Sequence, residues 1–214
     1  MALLTRRVTA VTNGPTDRIV WIDCEMTGLD LVADALVEVA VLVTDSELNL
    51  LDDGIDVLIT PPQAALDQMV DVVREMHTTS GLLADLANGT SLPLREAEDA
   101  VLAYLRSHVP EARKAPLAGN SVGTDRSFLA RDMPGLEAHL HYRIIDVSSV
   151  KELARRWYPR VYFASPPKTG GHRALADIRE SIRELKYYRK AVFVPAPGPD
   201  SETARDIASR FQQG

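Results

Sequence analysis

The chain has 214 residues, 45% of them hydrophobic and 25% charged, enough apolar content for one large domain to bury most of its nonpolar surface in a single core. Its net charge of −6 argues against gripping long duplexes or long single strands on a broad basic face, which needs many phosphate contacts, and leaves room for a short anionic substrate held by a few basic groups and metals. The single cysteine, Cys24, excludes an intramolecular disulfide and a cysteine-rich zinc site and suits a reducing cytoplasm, while no stretch is apolar for long enough to serve as a secretory leader or a membrane span.

Residues 1–16 read as a flexible extension. A strand is expected over 18–25, where "RIVWIDCE" has β-branched and aromatic content with period-two alternation. Val20, Ile22 and Cys24 share one face, and Asp23 and Glu25 share the other, with backbones about 6.5 to 7 Å apart. Two such carboxylates repel by up to about 4 kcal/mol at 4 Å with an effective dielectric of 20, so a positive group is expected beside them. Taken alone, the pair also fits an exposed edge strand with two solvated acids. After the "TGL" turn come strands over 35–45 and 49–59, which complete an antiparallel meander of three strands.

Past the Pro61-Pro62 break, apolar spacing at Leu66, Met69, Val72, Val73 and Met76 is helical through "AALDQMVDVVREMHTTSGLLADLA", and "LREAEDAVLAYLRSHV" is a further amphipathic helix. "APLAGN" (115–120) reads as a short buried strand, and "SVGTDRSFLARDM" as a helix capped near Ser121. "HYRIIDV" is expected as a strand and "SSVKELARRWYP" as a helix ended by Pro159; a loop, "FASPPKTGG", then leads to the helix "HRALADIRESIRELKYYRKAV". Three antiparallel strands followed by alternating helix and strand make the fold class α/β, a mixed sheet flanked by helices. The folded domain is expected over 17–193, followed over 194–214 by a Pro-rich tail with a short helix opened by Ser201; neither a P-loop nor a GxGxxG motif occurs.

If Asp23 and Glu25 hold a cation, further oxygen ligands must come from elsewhere, because magnesium favours octahedral oxygen coordination. Asp125 lies about a turn into its helix, where a carboxylate also suits the helix macrodipole without any ligand. Asp177 sits beside the buried stripe Ala174, Ile178, Ile182 and Leu185 and needs a partner. His172 and Asp177 would point about 140° apart if both were helical, so they converge only if His172 lies at the helix mouth, by Gly170-Gly171. There it is either an ordinary loop residue or a group placed to take a proton from an attacking water.

The order Asp23-x-Glu25, Asp125, His172 and Asp177 resembles the DEDDh class of 3′-to-5′ exonucleases, which has the ribonuclease H-like fold. "WIDCEMTGLD", "HTTSGL", "GNSVGTDRSFL", "HYRIIDVSSVKELARRWYP" and "HRALADIRESIRELKYYR" resemble the oligoribonuclease family within that class, a likeness that covers about residues 17–193. The resemblance implies that Asp23, Glu25, Asp125 and Asp177 bind two Mg²⁺ or Mn²⁺ ions and that His172 is the general base. It implies hydrolysis of very short RNA oligonucleotides, dinucleotides included, to nucleoside 5′-monophosphates by a cytoplasmic homodimer, with no membrane and no long duplex among its partners. Leu29 would pack against a base, and Ser121, Arg143 and Ser148 would grip the 5′ phosphate. His77 and Tyr142 would reach that pocket from the other subunit. Adjacent Tyr142 and Arg143 are expected to face opposite ways on their strand, which agrees with that split.

One departure stands out: where many members carry a base-stacking tryptophan, five residues before the "HTTSGL" histidine, this chain has Val72. Lys151, Arg155 and Arg156 read as a solvated or dimer-contact face. Two alternatives remain, a proofreading-type DNA exonuclease and a non-catalytic nucleotide-binding module. The acidic net charge and the 5′-phosphate residues speak against the first, and the presence of all five catalytic-type residues against the second.

Overall fold

The computed structural model describes residues 17–168 and 171–211, so the expected extension over 1–16 and Gly170 of the glycine pair lie outside the described residues. Strands β1 (Arg18–Met26), β2 (Leu36–Asp45) and β3 (Ile55–Leu58) pair antiparallel in sequence, as the meander requires. Strands β4 (Pro116–Gly119) and β5 (His141–Asp146) add in parallel on the other edge of β1, and the sheet order is β3-β2-β1-β4-β5. The result is the expected mixed sheet with β1 at its centre.

Alternation along β1 divides the core in two. Val20, Ile22 and Cys24 join Val39, Val41 and Val43 of β2 on one face, against Ala97, Val101 and Leu105 of α4 (Leu94–His108) and Phe128 and Leu129 of α5 (Gly123–Asp132). On the other face Trp21, Ala40 and Leu42 pack against Ala174, Ile178 and Ile182 of α9 (Ala174–Ala191). Asp23 and Glu25 continue that second face beyond Trp21, so the acids begin where the apolar contact with α9 ends. With both faces covered, nearly all of β2 is buried, which accounts for its almost unbroken apolar run.

Several boundaries differ from the expected ones, each for a local reason. The third strand does not run over 49–59: Asp52 accepts the Gly54 N–H at 2.9 Å, and Gly54 takes φ +87°, so an Asp-Gly turn breaks the run. A Cβ at Gly54 would also meet the Val41 carbonyl oxygen at 2.7 Å. The long helical stretch after Pro62 is three short helices, α1 (Gln63–Asp67), α2 (Asp71–Thr79) and α3 (Leu82–Ala87), with left-handed Gly81 (φ 81°) separating the last two. Ser121 does not cap α5; it stands outside the helix with φ 52°, for a reason that belongs to the site. A further short helix, α6 (Pro134–His139), follows α5. Pro159 both ends α7 (Val147–Trp157) and opens α8 (Pro159–Phe163), since a proline has no N–H to continue one helix but fits the first position of the next. The tail carries α10 (Ser201–Ser209), capped by Asp200, which accepts the Thr203 N–H at 2.8 Å, and not by Ser201. Among the described residues no helix is long and apolar enough to cross a membrane.

Candidate active site

Where β1 runs out of apolar neighbours, the first turn of α9 descends on the same face, and three acids meet. Asp23, Glu25 and Asp177 each offer a carboxylate oxygen within 4.8 Å of the others. Burial is the main force on their protons: it raises the Asp23 carboxyl to about 9, helped by the charges of Asp125, Glu25 and Asp177. Glu25 rises to about 8 by burial and then by Glu38 and Asp177. Asp177 is raised by burial, with His172 opposing the shift. The nearby cations are themselves engaged, Arg173 by Glu38 and Lys168 by Glu184, and their pull on Glu25 and Asp177 does not overcome burial. A cluster of this kind fits a divalent cation, because hard cations take oxygen donors and replace the protons that burial would otherwise force on them.

Asp125 stands next to this group rather than within the tight cluster. Its Oδ1 accepts the Cys24 N–H of β1 at 3.0 Å, so it serves as more than a charge at a helix start, and its own carboxyl is raised to about 6 by burial against the pull of that hydrogen bond. His172 lies two residues before α9, outside the helix, exposed and in a left-handed conformation (φ 47°), which is the mouth position that lets it approach Asp177.

His77 departs from its expected place. Its ring is fully buried in its own chain: Nε2–H donates to the Met26 carbonyl at 2.8 Å, and Nδ1, which has no hydrogen-bond partner, lies 3.9 Å from Glu25 Oε2. Within its own chain, then, the His77 ring is enclosed beside the carboxylate of Glu25.

Leu29 stands at the tip of a braced turn and is 74% exposed. Thr27 Oγ1 donates to Asp34 Oδ1 at 2.9 Å, the Asp30 N–H donates to Asp34 Oδ2 at 2.9 Å, and a Cβ at Gly28 would strike that carboxylate. Val72, in the first turn of α2, is equally open. Each is an exposed apolar side chain, near the acids or His77 in sequence.

Ser121 and Ser148 converge, although they are far apart in sequence. Asp146, at the end of β5, caps α7 by accepting the Ser148 N–H at 2.9 Å, and the same Oδ1 accepts the Ser121 N–H at 2.9 Å. That bond holds Ser121 in its left-handed conformation and sets the two hydroxyls 3.1 Å apart. Ser148 Oγ donates onward to Asn120 Oδ1 at 3.1 Å, and Asn120 reaches Glu184 at 3.2 Å, which Lys151 and Lys168 neutralise. Neither Asp146 nor Asn120 was legible as a site residue: an acid before a serine pair signals a helix cap, and nothing local reveals the second serine.

Tyr142 and Arg143 do not face opposite ways. The register of β5 against β4 slips between Pro116 and Leu117, whose partners are His141 and Ile144, so both residues bulge from the edge. The Arg143 guanidinium lies 5.5 Å from the Tyr142 ring centroid, and its Nε donates to the Tyr142 hydroxyl at 3.1 Å. On α7, Lys151 pairs with Glu184, while Arg155 and Arg156 both pair with Glu152.

The sheet topology and the acid cluster define a class, an α/β nuclease whose carboxylates meet at the end of the central strand. The exonuclease family model matches residues 20–185. Oligoribonucleases of Streptomyces griseus and Cutibacterium acnes are 71% identical over 195 residues and 61% identical over 194, each covering 91% of this chain and 96% and 95% of their own lengths. The chain belongs to the oligoribonuclease family of exonucleases. Among solved structures, the zinc-bound E. coli ExoI–ssDNA complex aligns with a TM-score of 0.63 at 14% identity, over 82% of this chain and 41% of that one. The exonuclease I of Methylocaldum szegediense aligns at 0.58 and 18%, again over 82% and 41%. At such identities the likeness is one of fold, and the chain spans well under half of those proteins.

Proposed function

We propose that this exonuclease removes nucleoside 5′-monophosphates from the 3′ end of very short RNA oligonucleotides, dinucleotides included, with Mg²⁺ or Mn²⁺. The observation that carries the reading is the convergence of Asp23, Glu25 and Asp177, with Asp125 adjoining and His172 at the helix mouth. The four carboxylates would hold two divalent ions, which when bound lower the pKa of the attacking water and stabilise the leaving oxygen. His172 accepts the proton of that water at a ring nitrogen, and its exposed turn lets the proton pass to solvent. Leu29 and Val72 hold bases by apolar contact. The Ser121 and Ser148 hydroxyls, with Arg143, take the 5′ phosphate, and a phosphate gripped there leaves no path for further nucleotides.

The folded domain is assigned to 17–193 and the tail to 194–214. A homodimer is favoured by the exposure of three large aromatic side chains, Tyr142, Trp157 and Phe163, and Tyr142 of the partner subunit would complete the phosphate grip. The single buried thiol, Cys24, suits a reducing cytoplasm.

The testing experiment measures mononucleotide release from 5′-phosphorylated RNAs of two, three, five and ten nucleotides, with matched DNAs. Rates should fall steeply with length and favour RNA. Flat rates, or a preference for DNA, would leave the proofreading-type reading in place. Restoring a stacking ring is a second test: Val72→Trp should lower KM for a dinucleotide by about 1 to 3 kcal/mol of stacking, with kcat little changed. An unchanged KM would remove Val72 from the base site.

A further inference from the structure

We propose that Glu38 is a positioning residue, whose buried carboxylate, through Arg173 and the start of α9, fixes His172 relative to the strands that carry the acids. Glu38 is 0% exposed near the start of β2, directly across from Glu25 in the β1–β2 register. Its strand neighbours Val37, Val39, Ala40 and Val41 are all buried hydrophobics, so a carboxylate here stands out. Its oxygens are not among those that converge with Asp23, Glu25 and Asp177.

What they do is grip residues 173 and 174 from two sides. Oε1 accepts from Arg173 Nε at 2.9 Å and lies 2.9 Å from a second guanidinium nitrogen, while Oε2 accepts the Ala174 N–H at 2.9 Å. That last bond caps α9, which receives no cap from its own N-cap side chain. Arg173 uses its remaining nitrogen on Asp85 of α3 at 2.7 Å, so one side chain ties together β2, α3 and the helix start. A buried ion pair of this kind adds little net stability over apolar packing of the same volume. Its effect is to fix geometry. His172 is the next residue back, and a non-glycine residue at φ 47° persists only where the chain around it is held. Release of Arg173 therefore lets the His172 ring swing away from its working position while the acids on β1 stay in place.

The inference rests on the reading of His172 as proton acceptor, and the test separates the two. Glu38→Gln keeps an acceptor for the Ala174 N–H but loses the charge that orients Arg173. With a 5′-phosphorylated RNA dinucleotide and saturating Mn²⁺, kcat should fall about 10- to 100-fold, the range for a misplaced catalytic group, with KM within about threefold and Mn²⁺ binding retained, no weaker than in the parent because the repulsive Glu38 charge beside Glu25 is gone. Arg173→Lys, which keeps charge without the planar fork, should fall between the variant and the parent. In a His172→Ala background, Glu38→Gln should have no further effect, because the two residues act as a unit. The proposal is overturned if the loss persists undiminished in that background, which would put Glu38 to work on the acids directly and leave the His172 reading standing. Full activity of His172→Ala would instead remove the proton acceptor itself. Should Glu38→Gln not fold, the same cycle with Arg173→Gln decides the matter.

Discussion

Replacing Asp23 by alanine is expected to abolish turnover, to less than a few per cent with magnesium, while leaving the fold intact and stabilising the metal-free protein. Without a cation, Asp23 is a partly buried acid among like charges, its carboxyl raised to about 9. The folded state then holds a proton that the unfolded chain gives up near its ordinary value of 3.8. Stability from this group is complete below about 4 and is lost as pH rises towards 9, by up to about 1.4 kcal/mol per pH unit. In chelator at pH 8, Asp23→Ala should therefore unfold at a higher denaturant concentration than the parent, with a flatter pH dependence. Cation binding must displace those protons, so calorimetry of the parent at pH 7 in buffers of different ionisation enthalpy should register proton release. Appreciable magnesium-dependent activity in the variant would show that Asp23 is not a ligand, and a destabilised metal-free variant would show that its role is structural.

The parts of the site legible in the sequence were those set by short-range geometry. Period two alone puts Asp23 and Glu25 opposite Cys24, and the sheet keeps that division. The requirement that His172 stand outside the helix follows from the helical angle, and α9 begins two residues later. What escaped was carried by long-range contacts or by small backbone irregularities. Glu38 is bonded to Arg173 across 135 positions, and no periodicity within "LVEVAVLV" names that partner, although a lone charge in an apolar strand was a sign that one existed. Asp125 fits a helix start equally well as a dipole charge and as an acceptor for the Cys24 N–H, 101 positions away. The strict alternation assumed for Tyr142 and Arg143 failed at a slip in register, where these two residues of β5 fall between the partners of adjacent Pro116 and Leu117 on β4. The outward reach of His77 came from the family resemblance alone, and nothing local to its helix names the Met26 carbonyl that its ring meets, which lies on another element.

His172→Ala should lower kcat by two or more orders of magnitude, in line with the contribution of a positioned proton acceptor. The ring has no structural duty to lose: it is exposed, lies outside α9, and the clamp on its neighbours runs through Arg173 and Ala174 instead. Manganese affinity should therefore remain within a few-fold of the parent, since the oxygens that converge come from Asp23, Glu25 and Asp177. One indirect route exists, because the His172 charge lowers the Asp177 carboxyl against burial, and its removal lets that carboxyl rise. A weaker affinity that recovers on raising the pH would reflect this electrostatic support. Loss of manganese binding at every pH would instead make His172 a ligand, and the division between acids that hold cations and a histidine that moves a proton would fall.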